Sequence, residues 1–168
     1  MKWTEGHIHV AMRHILTSMG WKLIAGEYPG GSDHDLYPLN IVDPKLARDR
    51  SPAPRQHSLG ELIPDLIALR GRELIIAEAK VRYDEGDKQK LATLLGPLID
   101  RFWNALEKFS HERAFPDLRP VRTLMLCPTL VFCAGMPAPE PSRTMSYLRI
   151  VGPSEGFFEG ALASGKKA

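Results

Sequence analysis

Two acidic residues and a lysine fall within the most apolar part of this 168-residue chain. Asp65 lies in segment 62–69, and Glu78 and Lys80 lie in segment 73–81, which are both otherwise rich in leucine, isoleucine and alanine. Ionised side chains are rarely buried among apolar strands unless they are paired or bind something. These three residues are therefore the first candidates for a functional site.

The two segments are predicted to pair as a buried β-hairpin, because Arg70-Gly71-Arg72 between them is a short turn with a glycine. Of two possible registers, one sets Asp65 opposite Ala77 and the other sets it opposite Glu78. In the second register the two carboxylates lie on one face, with Cβ atoms about 4.5–5.5 Å apart. Carboxylates this close repel each other and raise each other's pKa unless a cation lies between them.

A divalent metal ion would resolve that repulsion. Hard oxygen ligands favour Mg²⁺, with Mn²⁺ expected to substitute, and the backbone carbonyl of Ala79 is available as a third ligand. Lys80 would then orient or help to deprotonate an attacking water and offset charge in the transition state. The alternative is a buried ion pair, in which Glu78 bonds to Lys80 or to Arg72.

The sequence Ile63-Pro64-Asp65, followed after a short hairpin by Glu78-Ala79-Lys80, resembles the PD-(D/E)XK nuclease superfamily. That superfamily includes many restriction endonucleases, Holliday-junction resolvases and repair nucleases. The resemblance covers the chain from the first helix to about Phe109. It implies a restriction endonuclease-like α/β fold, in which three α/β/α layers surround a central mixed β-sheet.

The resemblance also implies a role for each residue of the motif. Asp65 and Glu78 would be metal ligands, the carbonyl of Ala79 a backbone ligand, and Lys80 the catalytic lysine. Gln89 on the helix after the hairpin resembles a glutamine found in some members of the superfamily.

Members of the superfamily often add a glutamate from the first helix as a further metal ligand, and two residues of this chain are candidates for that position. The matching spacing falls on His9, with Glu5 one turn earlier, and both border the buried stripe of a helix predicted over residues 4–19. Either residue could reach the metal; alternatively, Glu5 is an ordinary acid of the first helical turn. His7, His9 and His14 do not align as a zinc site, so a surface or packing role is favoured for these histidines.

The remaining elements are expected to position the hairpin within one domain of residues 1–160, followed by a flexible tail at 161–168. Pro97 is expected to kink the long helix or to start a second one, and Pro128 to close the strand that contains it. The predicted elements outside the hairpin are the first helix, a strand at 21–25, a long helix at 91–109, a strand within 121–132 and a last strand at 147–151.

Residues 29–58 form a long loop rich in proline and glycine, and its second half is basic. A basic loop beside a metal site would contact the phosphate backbone of DNA, although a merely solvated charged loop fits the sequence equally well. Asp33-His34-Asp35 is predicted to be a solvated turn rather than a second metal site. Gly30-Gly31 lacks the lysine of a phosphate-binding loop, so no nucleotide cofactor is expected. The predicted DNA-binding residues are Arg48, Arg50, Arg55, Lys88, Gln89 and Lys90.

The overall composition excludes binding of nucleic acid by bulk charge, since 22 basic residues balance 20 acidic ones for a net charge of +2. Cys127 and Cys133 are expected to be buried free thiols in a reducing compartment. No apolar run approaches the roughly 20 residues that cross a bilayer, and no signal peptide is apparent. A cytoplasmic protein without a membrane partner is expected.

These features predict a metal-dependent DNA endonuclease that hydrolyses phosphodiester bonds by means of a metal-activated water. A homodimer is expected, because cutting both strands would need a second subunit. One alternative is a nuclease-fold subunit with weak or no catalysis that binds DNA or joins a complex. Another is an interaction protein with an exposed aromatic surface formed by Phe102, Trp103 and Phe109.

Overall fold

A seven-stranded sheet forms the centre of the computed structural model, which describes residues 2–28, 31–32 and 64–164. The strand order across the sheet is β2-β1-β3-β4-β5-β6-β7. The strands are β1 (Lys22–Tyr28), β2 (Gly31–Ser32), β3 (Leu66–Arg70), β4 (Glu73–Ala79), β5 (Met125–Cys133), β6 (Ser146–Gly152) and β7 (Glu155–Gly160). The helices are α1 (Glu5–Ser18), α2 (Glu85–Leu95), α3 (Ile99–Glu112) and α4 (Ala161–Ser164).

The sheet is mixed. Strands β4, β5 and β6 run parallel to one another, while the pairs β1–β3, β3–β4 and β6–β7 are antiparallel. Parallel neighbours need a long crossover connection, and α2 and α3 supply it between β4 and β5. With α1 on one face and α2 and α3 on the other, the three-layer α/β/α fold class predicted from the sequence is confirmed.

Helix α1 covers one face of the sheet because its apolar residues recur at helical spacing. Its buried residues include Ile8, Met12, Ile15 and Leu16, which pack against alternate residues of β3 and β4. The side chain of Thr4 accepts a hydrogen bond from the backbone N–H of His7 and so caps the helix. The helix predicted over residues 4–19 is confirmed within one residue at each end.

The opposite face is covered by two helices that Gly96 and Pro97 separate, which is the second of the outcomes expected for that proline. Phe102, Leu106 and Phe109 of α3 are buried against the sheet. The expectation that Phe102 and Phe109 belong to an exposed aromatic surface is therefore wrong, since their spacing serves core packing.

The hairpin of β3 and β4 turns at Gly71 and pairs regularly as far as Leu66. Gly71 takes a φ of +61° in the turn, a conformation that glycine adopts without steric cost. Leu66 pairs with Ala77 across the strands. Asp65 lies just before β3, and its N–H donates to the carbonyl of Ala77 at 2.9 Å, so the backbone sets Asp65 beside Ala77 and its pairing with Glu78 stays a prediction.

Strand β5 departs from the sequence prediction at both ends. Residues 121–123 form a 3₁₀ turn instead of strand, and Pro128 lies inside β5 instead of closing it. Pairing with β6 begins only at Thr129, so at Pro128 the strand has β4 alone as a neighbour. A proline without an N–H donor is tolerated at such a position.

The end of the chain is more ordered than the sequence suggests. Strand β7, which the sequence did not predict, pairs with β6, and α4 buries Leu162 against this end of the sheet. Gly156 and Gly160 interrupt the alternation of apolar and polar residues by which a strand is predicted from sequence. The expectation of a flexible tail from residue 161 is wrong for residues 161–164, while residues 165–168 lie outside the described part.

The two cysteines are free and buried, as predicted. Burial raises the pKa of the Cys127 thiol to about 11. Within the described ranges, no helix has the length and apolar character needed to cross a bilayer.

Truncation of Leu106 tests the packing of α3. Leu106→Ala removes a fully buried side chain and should lower the free energy of unfolding by about 2–5 kcal/mol. Asn104→Ala on the exposed side of the same helix is the matched control and should change it by less than about 0.5 kcal/mol. Urea unfolding followed by circular dichroism measures both, and equal effects would contradict this packing.

Candidate functional site

Asp65 immediately precedes β3, where the backbone enters the hairpin. Its N–H donates to the carbonyl of Ala77 at 2.9 Å, and its Oδ2 accepts a hydrogen bond from the N–H of Ala79 at 2.8 Å. The side chain of Asp65 thus adds one hydrogen bond beyond the last backbone pair of β3 and β4. Both bonds fix the carboxylate at the carboxyl end of β4.

Glu78 is the most deeply buried carboxylate of the site, with 4% of its surface exposed. It lies in β4, which has neighbours on both sides and is apolar on both faces. Burial raises the pKa of Glu78 well above its ordinary value, and the nearby charge of Asp65 raises it further. The two acids are therefore near enough for the charge of Asp65 to act on Glu78, while their predicted pairing across the hairpin stays a prediction.

A lysine that the sequence assigned to DNA binding is the cation that partly offsets Glu78. Nζ of Lys90, on α2, lies 2.6 Å from Oε1 of Glu78. Its charge and hydrogen bond lower the pKa of Glu78 but do not outweigh burial and Asp65. The alternative of a buried ion pair at Glu78 is therefore present, but with Lys90 as its partner and not Lys80 or Arg72, since Arg72 instead donates to the carbonyls of residues 117 and 120.

Lys80 follows the end of β4 and is held by two acids of the next segment. Its Nζ lies 3.1 Å from Oδ2 of Asp84 and 3.5 Å from Oδ1 of Asp87. Partial burial opposes the charged form, but the hydrogen bond to Asp84 and the charges of both acids prevail and raise the pKa of Lys80. A lysine with a raised pKa is a poor proton acceptor, so this environment favours charge stabilisation over deprotonation of water.

Asp84 and Asp87 are site residues that the sequence reasoning missed. Asp84 is the N-cap of α2, and its Oδ1 accepts a hydrogen bond from the N–H of Asp87 at 2.9 Å. That bond is the main cause of the lowered pKa of Asp84, whereas burial raises the pKa of Asp87. An aspartate followed three residues later by a second acid, just before an amphipathic helix, was the available signal.

The other two residues of α2 predicted to bind DNA lie beside Lys90. Gln89 is exposed and donates a hydrogen bond to Glu85 at 3.0 Å, and Lys88 is partly exposed beside a groove that also includes Leu91 and Met125. Neither contacts the carboxylate pair in the contacts described. Their assignment to DNA binding stays a prediction.

Helix α1 brings both of its candidate residues to the site. Nε2 of His9 lies 3.8 Å from Oδ2 of Asp65 and 3.9 Å from Oε1 of Glu5. His9 is buried, while more than half of the Glu5 side chain is exposed. The surface or packing role favoured for the three histidines applies to His7, which caps α1, and to the exposed His14, but His9 faces the carboxylates.

Within residues 2–28, 31–32 and 64–164, no three His, Cys, Asp or Glu side chains are grouped so that they could hold a metal ion as they stand. The donors present nevertheless suit Mg²⁺, which is usually held by one or two carboxylates together with waters and phosphate oxygens. Oε1 of Glu78 is buried and lies 2.6 Å from Nζ of Lys90, the cation that a bound metal ion would replace.

Several predicted site residues lie outside the described part of the chain. They are Arg48, Arg50 and Arg55 and Ile63 of the motif, and the predicted solvated turn at Asp33-His34-Asp35 lies outside it as well.

Glu78→Gln tests the charge state of the buried carboxylate. Between the ordinary value of 4.5 and the raised pKa, the native state keeps a proton that the unfolded state has lost, so wild-type stability falls as pH rises through this window. Glutamine does not ionise, so the Glu78→Gln variant does not lose stability in this way. In EDTA, thermal unfolding should show Glu78→Gln gaining stability over wild type as pH rises from 4.5 to about 8, by a few degrees.

Glu155→Gln, at an exposed turn before β7, is the control for that measurement. It should show no comparable gain. A Glu78→Gln variant whose stability relative to wild type is independent of pH would contradict a raised pKa at this position.

Comparisons with known proteins give no match: no family model, no curated protein and no solved structure is similar to this chain. The functional argument accordingly depends on the residues of the site.

Proposed function

We propose that this protein is a Mg²⁺-dependent endonuclease of DNA, with Asp65 and Glu78 holding the cation and Lys80 assisting. The observation that carries the proposal is the buried Glu78 carboxylate, whose pKa the nearby charge of Asp65 raises further. A buried carboxylate beside a second acid is costly unless a cation compensates it. The Asp, Glu, Lys motif that resembles the PD-(D/E)XK superfamily supports the same reading.

Further acids gather around Asp65 and Glu78. Asp84 and Asp87 lie at the same edge of the sheet, and the ammonium groups of Lys80 and Lys90 lie among these acids. A divalent ion held by Asp65 and Glu78 would replace Lys90 beside Glu78.

A Mg²⁺ ion at this position would supply a nucleophilic water at neutral pH and polarise the scissile phosphate. The residues of the chain orient that chemistry. Ala79 fixes the Asp65 carboxylate through its N–H, and its own carbonyl, at the last position of β4, is the proposed backbone ligand. Lys80, kept charged by Asp84 and Asp87, offsets negative charge on the phosphate in the transition state.

A groove beside the site, with two basic residues in a mainly apolar lining, supports a nucleic acid substrate. It has a volume of about 580 Å³ and opens next to Val81, directly after Lys80. Lys2 and Arg82 provide positive charge along it, and Trp3 provides an aromatic ring. Such side chains bind phosphates and stack on bases. Two-strand cutting would require a homodimer, which is part of the proposal.

A second candidate is a nuclease-fold subunit that binds DNA with weak or no catalysis. The observation favouring it is that Glu78 and Lys80 already have charged partners without a metal, Lys90 at 2.6 Å and Asp84 at 3.1 Å. A silent domain could be stabilised by those ion pairs alone. Catalysis and DNA binding must therefore be measured separately.

Cleavage of supercoiled plasmid and of branched DNA, with Mg²⁺ or with EDTA, tests the proposal. Wild type should cut only with the metal. Asp65→Asn, Glu78→Gln and Lys80→Met should each lower the rate at least about a hundredfold, because each removes a metal ligand or a transition-state charge. Native gel shifts should show DNA binding retained by Lys80→Met.

Matched variants on exposed positions control for loss of charge alone: Asp100→Asn, Glu155→Gln and Lys108→Met should cut like wild type. Cutting that persists in Asp65→Asn and Glu78→Gln would contradict the site. A wild type that binds DNA and never cuts it would establish the second candidate instead.

A further inference from the structure

A second groove lies between α2 and the start of β5, and the proposed nuclease activity does not use it. Its volume is about 590 Å³, which is within the range of known ligand sites. Leu91 and Leu95 of α2 line it, together with Met125 and Leu126 of β5 and residues 142–145 before β6. The lining is therefore mainly apolar, as expected of a binding site rather than of a solvated crevice.

Met125 extends this apolar surface to the outside of the protein. With 64% of its surface exposed, it is the most exposed large apolar side chain among the described residues. A single exposed apolar residue needs no explanation, but a continuous apolar patch is typical of an interaction site. Methionine is flexible and packs against partners of different shape.

Strand β5 has an open edge at this groove. Its residues 125–128 pair with β4 alone, because pairing with β6 begins only at Thr129. The N–H of Met125 donates to the carbonyl of Arg72, the residue before β4, at 2.8 Å. Backbone groups of successive strand residues point to opposite sides, so the N–H and carbonyl of Leu126 point away from β4. An open edge of this kind can accept a further strand.

The charge of the groove favours an acidic occupant. Lys88 and Arg143 both line it, and none of its described lining residues is acidic. The side chain of Arg143 is exposed and that of Lys88 is partly exposed, so both can turn toward a bound ligand. Carboxylates form strong, charge-assisted hydrogen bonds with guanidinium and ammonium groups.

We propose that this groove binds an extended peptide segment of another protein, in which apolar residues are followed by acidic ones. The segment adds a strand at the open edge of β5 through hydrogen bonds to Leu126. Its alternate side chains fill the apolar groove, and its acidic residues pair with Lys88 and Arg143. A fatty acid fits this arrangement less well, because it has no backbone to pair with the N–H and carbonyl of Leu126.

Selection of random heptapeptides displayed on phage, against the immobilised full chain, tests the proposal without knowledge of the partner. The enriched peptides should alternate apolar residues with others and carry an acidic residue near one end. Fluorescence polarisation then measures binding of the most enriched peptide in synthetic form. Met125→Glu and Arg143→Glu, both at exposed positions, should weaken binding at least about tenfold. Val10→Glu and Arg119→Glu make the same changes at other exposed positions and should bind like wild type.

Hydrogen exchange followed by nuclear magnetic resonance distinguishes strand addition from apolar binding alone. The bound peptide should slow exchange of the Leu126 N–H at least about tenfold. A peptide that leaves this exchange unchanged, or that binds Met125→Glu and Arg143→Glu as tightly as wild type, would overturn the proposal. Enrichment of no peptide would overturn it too, and dodecanoate binding in the groove would then identify a lipid site instead.

The outcomes are independent of the proposed nuclease activity, because the groove shares no residue with the carboxylate site. Glu78→Gln should bind the peptide like wild type, and Met125→Glu should cut DNA like wild type. A protein that binds the peptide and cuts no DNA would overturn the nuclease proposal alone. A nuclease that selects no peptide would overturn this inference alone.

Discussion

The cost of burying the Glu78 carboxylate beside a second acid is the constraint on which the rest of this site depends. Glu78 and Asp65 lie where β3 and β4 leave their shared ladder, and burial together with the charge of Asp65 raises the pKa of Glu78. Lys90 lowers that pKa without outweighing these two effects. A buried carboxylate in such surroundings is stabilised by a bound cation.

Three parts of the fold bring ionisable side chains to one edge of the sheet. The hairpin supplies the carboxylate pair, because its register is fixed by Gly71 and by the apolar faces of both strands. The crossover between parallel strands β4 and β5 brings α2 back over the sheet and carries Lys90 and the acids that hold Lys80. On the other face, α1 presents His9. Each layer contributes ionisable side chains, and these side chains meet at the carboxyl end of β4.

Elements of the fold were predictable from the sequence where the spacing of apolar residues matches the residues that are buried in the structure. The hairpin follows from apolar segments on either side of a glycine turn, and the first helix follows from apolar residues at helical spacing, whereas the sequence left two positions open for the partner of Asp65. The acidic partners of Lys80 and Lys90 could not be predicted from the sequence. These ion pairs join different layers, so they depend on where α2 begins, and that position is set by the Asp84 cap. Strand β7 was not predicted, because its glycines interrupt the alternation of apolar and polar residues. Pro128 was predicted to end its strand, because the sequence does not show that β5 pairs with only one neighbouring strand at that residue.

Anomalous scattering from crystals soaked in Mn²⁺ tests the central claim most directly, since it locates the ion without reference to activity. The account predicts one strong peak between the carboxylates of Asp65 and Glu78, with Lys90 displaced from Glu78. Density for an ordered, fully paired Glu78–Lys90 contact at saturating Mn²⁺, with no peak at this edge of the sheet, would contradict it.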